Sequence, residues 1–350
     1  MIAMIEHTRP YDSIKPENGS NARVFQVLAL SGGGYRGLYT AKIIADIEAA
    51  DGGTPFAHHF DLIAGTSIGG ILALALSLEI PASRMVALFA EHGDEIFCKQ
   101  RGSLFGYARA PYTADRLKLL LQREDVFGDL RLSACRHPVL VPAINYSTGQ
   151  ATMFKTSHHP NFKRDHATPL VDVALATSAA PGYLPRHLYD NCQYVDGGLF
   201  ANAPGALALH EATVFFRQEL DAIRLLSIGT MSARFTADPT RSPEGGAIDW
   251  GGPNPLQMPR RLFSLAISVQ ETISCQMLRH RLTDERYFHI DDPLTEDSSH
   301  AVGLDKTDAA ARQVLLGTAR ERSKICLGDP RFQSFLHRTA PAPIFHHGNI

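Results

Sequence analysis

Val24-Phe25-Gln26-Val27-Leu28-Ala29-Leu30-Ser31-Gly32-Gly33-Gly34-Tyr35-Arg36-Gly37 is an apolar run that ends in a glycine cluster. About thirty residues on, Phe60-Asp61-Leu62-Ile63-Ala64-Gly65-Thr66-Ser67-Ile68-Gly69-Gly70 repeats the arrangement. A continuous apolar run of this length reads as a strand buried on both faces. Behind the first cluster, Leu38, Ala41, Ile44 and Ala45 recur at helical spacing until Asp51-Gly52-Gly53 ends the pattern. Behind the second, Ile68 to Leu78 is apolar on nearly every side, which predicts a buried helix, bounded by Pro81.

The same alternation continues outward. Pro138 to Ile144 is a third strand, with Ala151 to Lys155 beside it. Leu170 to Ala180 is a helix of small residues stopped by Pro181-Gly182. Gln193 to Val195 leads as a strand into Asp196-Gly197-Gly198, and Ile223 to Ile228 is another strand. Residues 82–135 read as mainly helical, broken around Arg101 to Pro111. Arg234 to Pro259, rich in Gly, Pro and Asp, reads as a long loop or lid. Leu262, Leu265, Ala266, Val269, Ile273 and Met277 mark an amphipathic helix over 260–280, and Asp305 to Ile325 another. Strands alternating with helices predict an α/β fold with a largely parallel sheet covered on both faces. The expected division is a lead-in over 1–23, one domain over 24–330 with its motifs in 24–230, and a partly disordered tail over 331–350.

The bulk numbers narrow the class. The 350 residues are 44% hydrophobic and 20% charged, ordinary for a globular protein, and the formal net charge of −2 argues against a surface built to coat a nucleic-acid polymer. Met1 to Ser20 lacks the basic start and apolar run of a signal peptide, and Ile68 to Leu78 is too short to span a bilayer. The five cysteines are scattered, with no C-x-x-C pair, which fits reduced thiols in a cytoplasm. The pairs His58-His59, His158-His159 and His346-His347 lack zinc-ligand spacing with a partner Glu or Cys, so no metal is assigned to them.

The two turns carry the chemistry. A serine hydroxyl needs an exposed position, a base and a place for charge on the carbonyl oxygen. In Gly65-Thr66-Ser67-Ile68-Gly69 the flanking glycines permit a sharp strand-to-helix turn that presents Ser67 Oγ, a nucleophile elbow. Gly32, Gly33 and Gly34 can aim successive N–H groups into one concavity that holds negative charge. Gly32-x-Gly34-x-x-Gly37 also matches a dinucleotide fingerprint, so a phosphate cradle competes. The ribose-binding acid expected at the end of the second strand is missing, and an oxyanion hole explains the loop best. Asp196-Gly197 alone reads more readily as a hairpin turn than as a catalytic acid. A Ser-Asp-His triad is the other alternative, but His210, His280, His289 and His300 stand in no distinctive setting. Arg36 is divided between binding a lipid phosphate or steadying the glycine loop and forming a structural ion pair.

Ser31-Gly32-Gly33-Gly34-Tyr35-Arg36-Gly37, Gly65-Thr66-Ser67-Ile68-Gly69-Gly70, Ala176-Thr177-Ser178-Ala179-Ala180-Pro181 and Asp196-Gly197-Gly198, in that order, resemble the signatures of the patatin-like phospholipases. The resemblance covers about residues 24–230. It implies a patatin-like three-layer sandwich and a lipid acyl hydrolase that uses no metal or cofactor. It places the nucleophile on Ser67, the partner carboxylate on Asp196, and the oxyanion hole on Gly32, Gly33 and Gly34 with Arg36 beside them. Ser31 stands where plant members often carry Asp, and is given no catalytic role. The implied partners are membrane phospholipids as substrate, met from the cytoplasmic side. The single-domain layout also resembles bacterial antiphage effectors, which implies a cyclic dinucleotide activator; self-association stays open.

Overall fold

The computed structural model describes residues 23–100, 109–232, 257–294 and 300–348. In chain order the elements are β1 (Phe25–Leu30), α1 (Gly37–Ala50), β2 (Leu62–Gly65), α2 (Ile68–Ser77), α3 (Ala82–Ile96), α4 (Asp115–Leu121), β3 (Val139–Asn145), β4 (Gln150–Lys155), α5 (Leu170–Ser178), β5 (His187–Tyr189), β6 (Cys192–Asp196), α6 (Gly198–Ala201), α7 (Gly205–Val214), β7 (Ile223–Ile228), α8 (Met258–Arg281), β8 (Tyr287–Ile290), α9 (Ala309–Gly328) and α10 (Pro330–Leu336). The sheet has eight strands in the order β5-β6-β3-β2-β1-β7-β8, with β4 paired to β3. The pairs from β3 through β2, β1 and β7 to β8 are parallel, whereas β4, β5 and β6 form the antiparallel part.

β1 is buried along its whole length, because alternate side chains enter two different cores. Leu28 and Leu30 face the larger one, with α1, α2, α3, α5, α9 and α10. Val27 and Ala29 face the smaller one, with α7 and the C-terminal part of α8. The predicted mostly parallel sheet with helices on both sides is therefore the observed architecture. Among the described residues no helix is long and apolar enough to cross a membrane.

Several expectations are corrected. Past α4, the region expected to be mainly helical turns at Gly128, whose φ is +49°, and contains only a short 3-10 turn over Leu132–Ala134. The helix predicted over 260–280 exists, but its buried face is the other one. Phe263, Ile267, Glu271, Ser274 and Leu278 point inward, while Leu262, Val269, Ile273 and Met277 are 41–55% exposed. The inward side is polar at its middle because Gln270 and Ser274 hydrogen-bond Ala203 and Glu271 hydrogen-bonds Asn202. The stretch from Arg331, expected to be partly disordered, starts within α10, where Phe332 and Phe335 are fully buried. Burying one such ring is worth about 1.5–3 kcal/mol, and the backbone beyond is tied down by Ala340 N–H donating to the His58 carbonyl. Most of the loop expected over 234–259, and residues 101–108 of the expected break, lie outside the described residues.

Candidate active site

Ser67 sits between β2 and α2 with φ 55° and ψ −125°, a left-handed conformation strained for a residue with a side chain. The turn survives because its glycines leave no room for alternatives. A Cβ on Gly65 would lie 2.0 Å from the Gly69 carbonyl oxygen, and one on Gly69 would lie 2.3 Å from that of Leu30. The Ser67 N–H donates to Thr177 Oγ1 at 3.0 Å, and Thr177 in turn donates to the Pro142 carbonyl at 2.6 Å. Thr66 Oγ1 donates to the Ala201 carbonyl at 2.6 Å. The elbow is thus fastened to β3, α5 and α6.

Asp196 closes β6, opposite Ala143 of β3. It is 1% exposed; Oδ1 accepts the Gly198 N–H at 2.7 Å, while Oδ2 is buried without a hydrogen-bond partner. Burial pushes its pKa up to about 7, against the lowering effects of the Gly198 N–H and of the nearby Ser67 hydroxyl. The structure thus brings the two residues together, with one carboxylate oxygen left to receive a proton. Catalytic hydrogen bonds commonly tighten only when substrate binds.

The triglycine differs from expectation in one respect. The Gly32 N–H, read as an oxyanion donor, donates to the Asn202 carbonyl at 3.0 Å and is not free. Among the described residues the Gly33 and Gly34 N–H groups meet no acceptor, and both residues line the pocket beside Ser67 and Asp196. Gly32 is needed for space instead: a Cβ there would lie 2.4 Å from Asn202 Oδ1 and 3.1 Å from Ser67 Cβ. A Cβ on Gly34 would lie 2.2 Å from the Leu304 carbonyl oxygen. That closeness explains why only glycine fits at position 34.

Behind the loop lies a buried polar support that sequence reading missed. Asn202 Nδ2 and Thr230 Oγ1 both donate to the Gly32 carbonyl, at 3.2 and 2.9 Å. Asn202 Nδ2 also donates to Glu271 at 2.6 Å. Asn202 belongs to the block that begins at Asp196, which was a usable signal; Thr230 and the lone acid in α8 gave none. Arg36 is 5% exposed and donates to the Gly33 carbonyl at 3.3 Å and to that of Met231 at 2.9 Å. Burial lowers its pKa, and the charges of Glu271 and Asp291 oppose that shift. Arg36 therefore steadies the loop from behind. Arg36→Met should cost about 2–4 kcal/mol of unfolding free energy in a denaturant titration, because the buried carbonyls of Gly33 and Met231 lose their donor. A raised KM with unchanged stability would instead make Arg36 a ligand for the substrate phosphate.

Ser67, Asp196, Gly33 and Gly34 open onto an apolar pocket whose walls include Ile71, Phe89, Phe97, Tyr183, Phe263 and Ile267. That lining suits an acyl chain. The described lining residues include no histidine. His289 lies instead against Ser227 and Cys275, and His210 and His280 are exposed. Among the described residues a Ser-Asp-His triad therefore finds no third member at the pocket.

The family model of the patatin-like phospholipases matches residues 28–209. A "cGAMP-activated phospholipase" of Pseudomonas aeruginosa is 45% identical, the match covering 93% of this chain and 95% of that one. A protein of the same description from Vibrio cholerae is 33% identical over 85% of this chain and 89% of its own. A "cUMP-AMP-activated phospholipase" of Escherichia coli is 30% identical over 60% and 65%.

Proposed function

The chain belongs to the patatin-like phospholipase family, and on that premise we propose that it is a cyclic-dinucleotide-activated phospholipase that cleaves membrane phospholipid esters through Ser67 and Asp196. Ser67 Oγ attacks the ester carbonyl while Asp196 takes the hydroxyl proton. The Gly33 and Gly34 N–H groups receive the developing oxyanion. Collapse of the tetrahedral intermediate returns the proton to the departing lysophospholipid alcohol and leaves an acyl-serine. Water, deprotonated by Asp196, then attacks the acyl-serine; the C–O bond to Ser67 breaks, Asp196 returns the proton to Ser67 Oγ, and the fatty acid is freed. The observation that carries this reading is the meeting of a strained serine, a buried carboxylate with an unpartnered oxygen and two free N–H groups in one apolar pocket.

An ordinary carboxylate is a weak base for a hydroxyl; one with a pKa near the working pH is far better matched. The dry site that raises the Asp196 pKa also strengthens the oxyanion contacts. The exposed apolar side chains of α8 share that helix with Phe263 and Ile267 of the pocket wall, which supports approach to a bilayer surface. Activation by a cyclic dinucleotide is proposed from the relatives' descriptions. The test is fatty-acid release from phospholipid vesicles with no ligand, with cGAMP and with cUMP-AMP. At least a tenfold rise with one of the two is expected. Equal release in all three arms would remove the activator, and no release in any would remove the hydrolase.

A further inference from the structure

At the opposite end of α2 from Ser67, three side chains from separate parts of the chain converge. His58 Nε2 lies 3.1 Å from Glu79 Oε1, and His137 Nε2 lies 3.3 Å from the same oxygen. All three atoms lie within 4.8 Å of one another. The geometry points to a zinc site formed by His58, Glu79 and His137. Zinc bonds of about 2.0–2.1 Å in a tetrahedron place neighbouring ligand atoms about 3.3–3.4 Å apart, close to the two spacings observed. Two imidazoles and a carboxylate are a recognised donor set for this metal, with a fourth position left for water. His137 is buried, and His58 and Glu79 are partly exposed, so the cluster has a face open to solvent.

Two further features fit a built site. Arg136 Nη1 donates to Glu79 Oε2 at 2.5 Å, which fixes the carboxylate with its other oxygen turned to the imidazoles. Glu79 itself is held at φ 60° as the residue that closes α2: its N–H donates to the Leu76 carbonyl and the Ile80 N–H to that of Ala75. These bonds fix the backbone from which the carboxylate reaches the two imidazoles. A metal there would cross-link the turn before β2, the end of α2 and the lead into β3, about 15 Å along α2 from Ser67, with one coordination position left open to solvent. Sequence spacing gives no sign of the set, because its members are 21 and 58 residues apart.

The test is a zinc titration by calorimetry on the chelator-treated full chain without a histidine tag, with cobalt(II) absorption as a report on coordination. One zinc per chain is expected, with a rise in melting temperature. His58→Ala and His137→Ala should each weaken affinity at least tenfold and abolish the cobalt bands. His92→Ala, at the exposed His92–Glu95 pair, should change nothing. Absence of saturable binding would overturn the site and leave only hydrogen bonds. Unchanged affinity in both histidine variants would overturn it too and assign the metal elsewhere. If His137→Ala does not fold, the partly exposed His58→Ala and the isosteric Glu79→Gln decide.

Discussion

On the proposed mechanism Ser67→Ala should abolish phospholipid hydrolysis, with a loss on the order of 10⁴-fold or more, while the protein stays folded. The size follows from the chemistry: without Oγ no acyl-serine forms, and only the oxyanion contacts and substrate binding remain. The fold is spared because the elbow is held by its backbone and neighbours. The Ser67 N–H, Thr66 and Thr177 make the anchoring hydrogen bonds, and a β-carbon at position 67 is retained by alanine. Unfolding free energy should stay within about 0.5 kcal/mol of the parent. The measurement is fatty-acid release from vesicles together with labelling by a fluorophosphonate probe. Persistent labelling in the variant would move the nucleophile to another residue.

The parts of this arrangement differ in how openly the sequence declares them. β1, β2 and β7 are apolar runs broken only by Gln26, Arg224 and Ser227, the pattern that burial on both sheet faces favours. The elbow is legible because only glycine fits at positions 65 and 69, where a Cβ would strike backbone oxygen. The face of α8 misled for a physical reason: hydrophobic periodicity marks what is apolar, not what is inside. In α8 the inward side carries Glu271 and Ser274 because they hydrogen-bond Asn202 and Ala203. The role of Gly32 was hidden for a similar reason, since a row of N–H groups in sequence does not reveal that the Asn202 carbonyl already takes one. β5 and β8, three and four residues long, fall below what periodicity resolves.

Asp196→Asn is the sharper experiment, because it separates the carboxylate's chemistry from its place in the fold. The amide keeps the shape and can still accept the Gly198 N–H, but it cannot take a proton. Activity should fall by about 10³–10⁴-fold, the share a positioned general base supplies together with its nucleophile. The parent enzyme carries a pH signature of the same group. With a pKa of about 7, the ionised and therefore basic form disappears below neutrality, so kcat/KM should climb between pH 5.5 and 8 with a midpoint near 7. Stability should run the other way. A folded pKa of about 7 against roughly 3.9 unfolded means that the native state binds the extra proton between these values. Stability is then fullest below about pH 4 for this group and declines as pH rises through 7. Asp196→Asn removes that decline, so the variant should equal or exceed the parent in melting temperature at pH 8 while being nearly inactive. Gained stability with lost activity would identify a carboxylate kept in the interior for its basicity. A variant that keeps its activity, or a parent whose rate is flat from pH 5.5 to 8, would give the proton to some other acceptor.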